Sequence, residues 1–175
     1  MQRVLSHHRN FAEYLAELVI KEKRAALAAL RRGLGRAPGT ASEMYPHVVR
    51  WLPSNPKAVQ DDAFYIVASL FALHPVSRSD ETSYGRSLAE TAVARKAAAA
   101  VERRFMALLN AHSDDVHHHL RHTVALLRAT ATPVDWGRLL GDLMKWNRPN
   151  RQVQRAWARD FWKTVESGPA PDERS

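Results

Sequence analysis

The segment carrying Val59, Ala63, Ile66, Val67, Leu70, Phe71 and Leu73 constrains this chain more than any other. These residues recur at helical intervals, yet together they cover most of the helix circumference. A helix apolar on so many sides belongs inside a protein, with other elements packed around it. Asn55-Pro56 supplies a start signal, a capping side chain followed by an imino acid whose missing N–H costs nothing at that position. His74-Pro75 supplies the stop.

What surrounds this segment is also helical in pattern. Phe11, Leu15, Leu18 and Val19 form one stripe, with Asn10 and Glu13 spaced as a capping box. Leu27 and Leu30 belong to a second helix, which Gly33 is expected to end at a C′ position. A Gly/Pro-rich loop runs to Thr40, and a short helix is expected over Glu43–Leu52. The polar stretch from Pro75 to Gly85 marks a lobe boundary, giving lobes of approximately 1–82 and 83–168. Beyond it, helices are predicted over Ser87–Lys96, around Val101–Leu109, from a cap at Ser113, from a cap at Asp135, and from about Asn150 to Val165. Residues 169–175 read as a disordered tail. No segment alternates with period two, so the fold class is all-α, with about eight to nine helices.

Charge and composition narrow the function classes. The 26 Lys+Arg against 18 Asp+Glu leave a net charge of +8, which attracts polyanions. No stretch reaches the roughly 18 apolar residues of a transmembrane helix. Glu13 and Glu17 interrupt Phe11–Ile20, so it does not read as a signal sequence, and a cytoplasmic protein without membrane contact is expected. The absence of cysteine excludes disulfides, thiolate catalysis and Cys-ligated zinc.

Between Arg121 and Lys163 stand nine bases and three acids. At about 3.6 residues per turn, Arg151, Arg155, Arg159 and Lys163 form one stripe of the last helix. Val153, Trp157, Phe161 and Val165 form another on the opposite side, so the aromatics point inward and the cations outward. Arg121 and Arg128 share a face of one earlier helix, and Arg138 and Lys145 a face of another, although Asp142 is placed to pair with Arg138. A solvated face is the plain alternative for any one such stripe. Three together, rich in arginine, suit phosphate oxygens. Arg31-Arg32 at a helix end and Arg103-Arg104 before Phe105 extend the basic surface.

Other chemistry is missing. His112, His117, His118, His119 and His122 crowd together, and His118 and His122 have the spacing of paired zinc ligands. No glutamate of the H-E-x-x-H type accompanies them, so a polar helix face is expected and no metal site. No phosphate loop, nucleophile elbow or carboxylate dyad appears, so neither catalytic residues nor a cofactor is expected. Trp136, Trp146, Trp157 and Trp162 are expected in the core, although tryptophan can stack on bases.

A resemblance emerges from fragments in order. They are Ala29-Leu30-Arg31-Arg32-Gly33, Ala68-Ser69-Leu70-Phe71-Ala72-Leu73-His74-Pro75 and Glu102-Arg103-Arg104-Phe105 leading into Leu108-Leu109. Val134-Asp135-Trp136 follows, then Leu139-Leu140-x-Asp142-Leu143-x-x-Trp146, and Arg155-Ala156-Trp157-Ala158-Arg159-Asp160-Phe161. Over Ala29–Phe161 the chain resembles the CasB family, the small subunit of the type I-E CRISPR surveillance complex, Cascade. The resemblance implies two small helical bundles and a non-catalytic subunit that stabilises the target heteroduplex and the displaced DNA strand. It implies crRNA, target DNA, the backbone and large Cascade subunits and a second copy of the chain as partners. Residues matching the family's motifs are Arg31, Arg32, Arg103, Arg104, Lys145, Arg155 and Arg159. Helix geometry adds Arg121, Arg128, Arg148 and Arg151. The rival classes are a helix-turn-helix transcription regulator, which would need a recognition helix with exposed base-reading residues, and a structural adaptor docking acidic proteins.

Overall fold

Helix α4 (Ala58–Leu73) is the element on which much of the fold is assembled, and every residue from Ala63 to Ala72 is buried. The computed structural model describes residues 2–55 and 57–168, so the expected imino start at Pro56 and the expected tail over 169–175 lie outside the described residues. Lys57, not Asn55, occupies the N-cap position of α4, without a capping side chain. His74 ends the helix as predicted.

The remaining helices are α1 (Gln2–Ile20), α2 (Arg24–Arg31), a short α3 (Tyr45–Val48) between two 3₁₀ turns, α5 (Tyr84–Ala94), α6 (Ala98–Asn110), α7 (Val116–Ala129), α8 (Trp136–Leu143) and α9 (Gln152–Ser167). No strand occurs among the described residues. One isolated parallel bridge joins Ser77 to Val134. α1 packs on α8, and α4 carries α2, α7 and α8. α5 packs on α9, α6 and α7, and α6 packs on α7 and α9. A single apolar cluster runs through these contacts, marked by the ring pairs Phe11–Phe64 (5.0 Å), Phe71–Trp136 (5.8 Å), Tyr84–Trp157 (5.1 Å) and Phe105–Phe161 (4.5 Å). Pairs with centroids about 4.5–7 Å apart add attraction beyond the area they bury.

Local start and stop signals fared unevenly. Ser83 caps α5 by accepting from the Arg86 N–H at 3.2 Å, and Asp135 caps α8 by accepting from the Arg138 N–H at 3.0 Å. The expected capping box at Asn10 and Glu13 is absent, because α1 begins at Gln2 and both residues lie on exposed turns of its interior. Ser113 is not a cap either: α7 begins at Val116, and Ser113 sits in the preceding turn, bonded to His112 and Asp114. Gly33 follows the C-cap Arg32 and so holds the expected C′ place, but without a positive φ, which first appears among the glycines at Gly35 and Gly39. Its reason is space, for a Cβ there would strike the Met44 sulfur.

Two histidines are buried in this core, His8 at 5% exposure and His74 at 2%. Burial, then the nearby His7 and Lys145, pushes His8 down to about 4. Burial also lowers His74, with Arg128 adding to it and a 2.6 Å bond to the Thr132 carbonyl opposing it. The unfolded chain therefore takes up protons first as pH falls. This stability is complete above about pH 6.5 and is lost on the way down to about pH 4, roughly 3 kcal/mol for His8 alone. Asp142, raised mainly by burial, acts in the opposite sense. Urea unfolding at pH 7 and pH 4.5 is expected to show a large loss in the wild type and a smaller one in His8→Gln. Equal losses would contradict the assignment.

Candidate nucleic-acid interface

The orientation of α9 is set by what it buries. Val153, Trp157 and Phe161 are all within the core. Trp157 donates its indole N–H to Asp142 Oδ2 at 2.7 Å and packs against Tyr84 and Trp146, while Phe161 stacks on Phe105. Gly85 lets α5 approach so closely that a Cβ there would land on the Trp157 carbonyl. With that face fixed, Arg155, Arg159 and Lys163 project outward and are exposed. Among the described residues no ion pair engages any of the three. Asp160 turns toward α5, accepting from the Ser83 hydroxyl at 2.5 Å, and leaves that cationic face alone.

Arg151 plays a different part. It occupies the N-cap of α9 with left-handed backbone (φ 51°, ψ 36°), and its guanidinium donates to the Leu109 carbonyl at the end of α6. A cation there also meets the negative end of the α6 dipole. Trp146 reinforces the joint by donating to the Ala111 carbonyl at 3.1 Å, and Gln154 donates to the Trp146 carbonyl at 2.9 Å. Arg151→Glu is expected to cost about 1–3 kcal/mol, because a carboxylate would face a buried carbonyl, whereas Arg155→Glu stays within about 0.5 kcal/mol. Urea midpoints of the two variants check this, and equal midpoints would deny Arg151 its structural role.

The other predicted residues fall into groups. Arg103 and Arg104 are exposed on α6, whose Phe105 packs against both Phe161 and Trp162, so they lie on the element flanking α9. Arg148 is exposed in the loop entering α9. A second group surrounds the end of α4, where α2 and α7 both pack. Arg31 donates to the Ala72 carbonyl at 2.9 Å, and Arg128 lies near enough to His74 to lower its pKa. Arg121 abuts Gly35, and Arg32 is exposed beside Arg31. Arg36 lines the same crevice as Arg121 and was missed as a candidate, although it follows Arg31-Arg32 by only a few residues. Lys145 stands apart, exposed at a cleft between α1 and α8. There Arg138 is spent, donating to the Glu81 carbonyl and lying 4.0 Å from Asp142. α7, α8 and α9 meet chiefly through α4, α5 and α6, so their bases form separate groups around the shared core.

The tryptophans behave as core residues. Trp136, Trp146 and Trp157 are buried, and half-buried Trp162 packs on Phe105 and Phe161. Of the clustered histidines, His112, His118 and His122 are exposed, and no group of three or more His, Cys, Asp or Glu among the described residues is placed to hold a metal. No described helix is long and apolar enough to cross a membrane.

Comparison with known proteins places this arrangement. The family model for CRISPR-associated protein Cse2 matches residues 26–162, the span that holds all eleven predicted binding residues from Arg31 to Arg159. The Cse2 protein of Thermus thermophilus is 37% identical over 139 residues, covering 79% of this chain and 79% of the relative. The crystal structure of CasB from Thermus thermophilus superposes with a TM-score of 0.78 at 35% identity, covering 89% of this chain and 97% of that one. A chain from a CRISPR RNA-guided surveillance complex superposes with a TM-score of 0.80 at 34% identity, covering 94% of this chain and 96% of its own length. With its matched span running from α2 into the last turns of α9, the chain belongs to the CRISPR-associated Cse2 family, also called CasB.

Proposed function

We propose that this chain is a non-catalytic subunit of a crRNA-guided surveillance complex that holds the target heteroduplex and the displaced DNA strand through phosphate contacts. The carrying observation is the outer face of α9, where Arg155, Arg159 and Lys163 stand exposed, with no ion pair among the described residues, because Trp157 and Phe161 anchor the opposite face. Arg103 and Arg104 are exposed on α6, which packs on α9, and the group around Arg31, Arg121 and Arg128 offers a second surface. Replacing duplex DNA by heteroduplex is nearly balanced in energy, so several weak backbone contacts suffice to tip it. Such contacts need no base reading. The partners in this proposal are crRNA, target DNA, the backbone and large subunits, and a second copy of the chain. The likeness to a chain of an RNA-guided surveillance complex supports it.

The test is reconstitution of the complex with and without this chain, with permanganate reactivity reporting the opened displaced strand. Omission is expected to shorten the lifetime of the opening while guide pairing persists. An unchanged lifetime would overturn the role. Cleavage of DNA or RNA that requires divalent metal and survives repurification would overturn the non-catalytic part.

A further inference from the structure

A cavity of about 470 Å³ lies between α1 and α8, away from both arginine groups. That size falls within the roughly 300–1,000 Å³ of small-ligand pockets. Its walls follow from small residues: Ala12 and Ala16 on α1, Gly137 and Gly141 on α8. A Cβ on Gly137 would come within 3.3 Å of the His8 carbonyl oxygen, and one on Gly141 within 3.1 Å of His8 Nδ1. The two helices therefore cross closely, and the loop carrying Ser77 and Ser79 closes the remaining side.

Most of the charge around the cavity is already spent. Asp135 accepts from the Arg138 and Glu81 backbone N–H groups with its two oxygens, at 3.0 and 2.9 Å. Arg9 pairs with Glu81 at 3.7 Å, and Arg78 with Asp80 and Glu90. Glu13 stands exposed at the rim without a described ion pair, and three further groups remain. Asp142 gives Oδ2 to Trp157 at 2.7 Å and, more distantly, to Arg138 at 4.0 Å, and no hydrogen bond among the described residues uses its Oδ1. His8 is 5% exposed, its Nδ1 is buried against Gly141 without a partner, and no described hydrogen bond uses Nε2. Lys145 is the one lining cation without an ion pair among the described residues. A recessed carboxylate acceptor, a neutral imidazole and an ammonium at the mouth match a heterocycle bearing an exocyclic amine and attached to a phosphate.

We propose that this cavity holds one unstacked nucleobase of a bound single strand, with its exocyclic amine on Asp142, its ring beside His8 and its phosphate on Lys145. The proposal rests on the nucleic-acid role above and deepens it. Adenine, cytosine and guanine carry the required amine, and thymine does not.

The test uses the full chain and two strands of equal length, oligo-dC and the same backbone without bases. Fluorescence anisotropy measures affinity, and the His8 Cε1–H resonance, identified with His8→Gln, reports the cavity. Both strands are expected to bind, oligo-dC about fivefold or more tightly, as one amine–carboxylate hydrogen bond of about 1 kcal/mol or more implies. Only oligo-dC should move the His8 signal. Ser79→Trp, which fills the cavity from its exposed loop, should bring oligo-dC down to the affinity of the abasic strand. Binding of both strands with an unmoved His8 signal would overturn the pocket and leave the phosphate surfaces intact, with the cavity open to a partner's side chain. Saturation by free dCMP at strand-level concentrations would reassign it to soluble nucleotides. Failure of both strands to bind would overturn the nucleic-acid role, and the pocket with it.

Discussion

Gly85→Ala is expected to be the most destabilising glycine-to-alanine change in this protein. The added Cβ lands on the carbonyl oxygen, carbonyl carbon and Cα of Trp157, all backbone atoms that no rotamer change can move aside. Relief requires α5 and α9 to separate along their principal contact, which opens the packing around Tyr84, Trp157 and Phe161. Overpacking typically costs about 1–3 kcal/mol, and a clash with backbone belongs at or above the upper end. Against a total stability on the order of 5–15 kcal/mol, that shifts a urea midpoint far outside error. The same variant should bind nucleic acid less well, since α9 carries the cationic face. An unchanged midpoint would mean that the close approach of α5 to α9 is not what holds that face in place.

The second large effect is on binding and leaves folding alone. Replacing Arg155, Arg159 and Lys163 together by glutamate should lower affinity for DNA on the order of 100-fold at low salt, at roughly 1 kcal/mol per charge-assisted phosphate contact. All three side chains are exposed and none is in a described ion pair, so the thermal midpoint should hardly move. Arg151 is left out on purpose, because its bond to the Leu109 carbonyl would confuse a folding defect with a binding defect. Electrophoretic mobility shifts beside circular-dichroism melts separate the two quantities. Retained affinity in a folded variant would move the interface to the group around Arg31, Arg121 and Arg128.

Much of this was legible in the residues alone, and the failures share one cause. The inward turn of Trp157 and Phe161 and the outward turn of Arg155 and Arg159 follow from helical spacing, which is a property of a single segment. The burial of α4 follows in the same way from its breadth of apolar residues. Asn10, Asn55 and Ser113 misled because capping residues are judged by neighbours along the chain, while helix ends are also set by what lies across from them. Gly33 marked the end of α2 correctly, but for another reason than a positive φ. Gly33 is there for Met44, and α1 begins well ahead of the capping pattern at Asn10. Arg151 looked like one more member of a cationic stripe, and only the approach of α6 shows that its guanidinium is engaged. The division of the bases into separate groups was equally hidden, since it depends on which helices touch. The cleft between α1 and α8 had no signature, because Ala12, Ala16, Gly137 and Gly141 mean nothing until the two helices cross.

The central claim is that cations on this surface hold nucleic acid by its backbone, and its most direct test is the salt dependence of binding by the isolated chain. Counterion release makes log K fall linearly with log salt, by about 0.9 per phosphate contact on duplex DNA and about 0.7 on single strands. Several unrelated mixed sequences should give one common steep slope. A flat slope, or tight binding confined to one sequence, would contradict it.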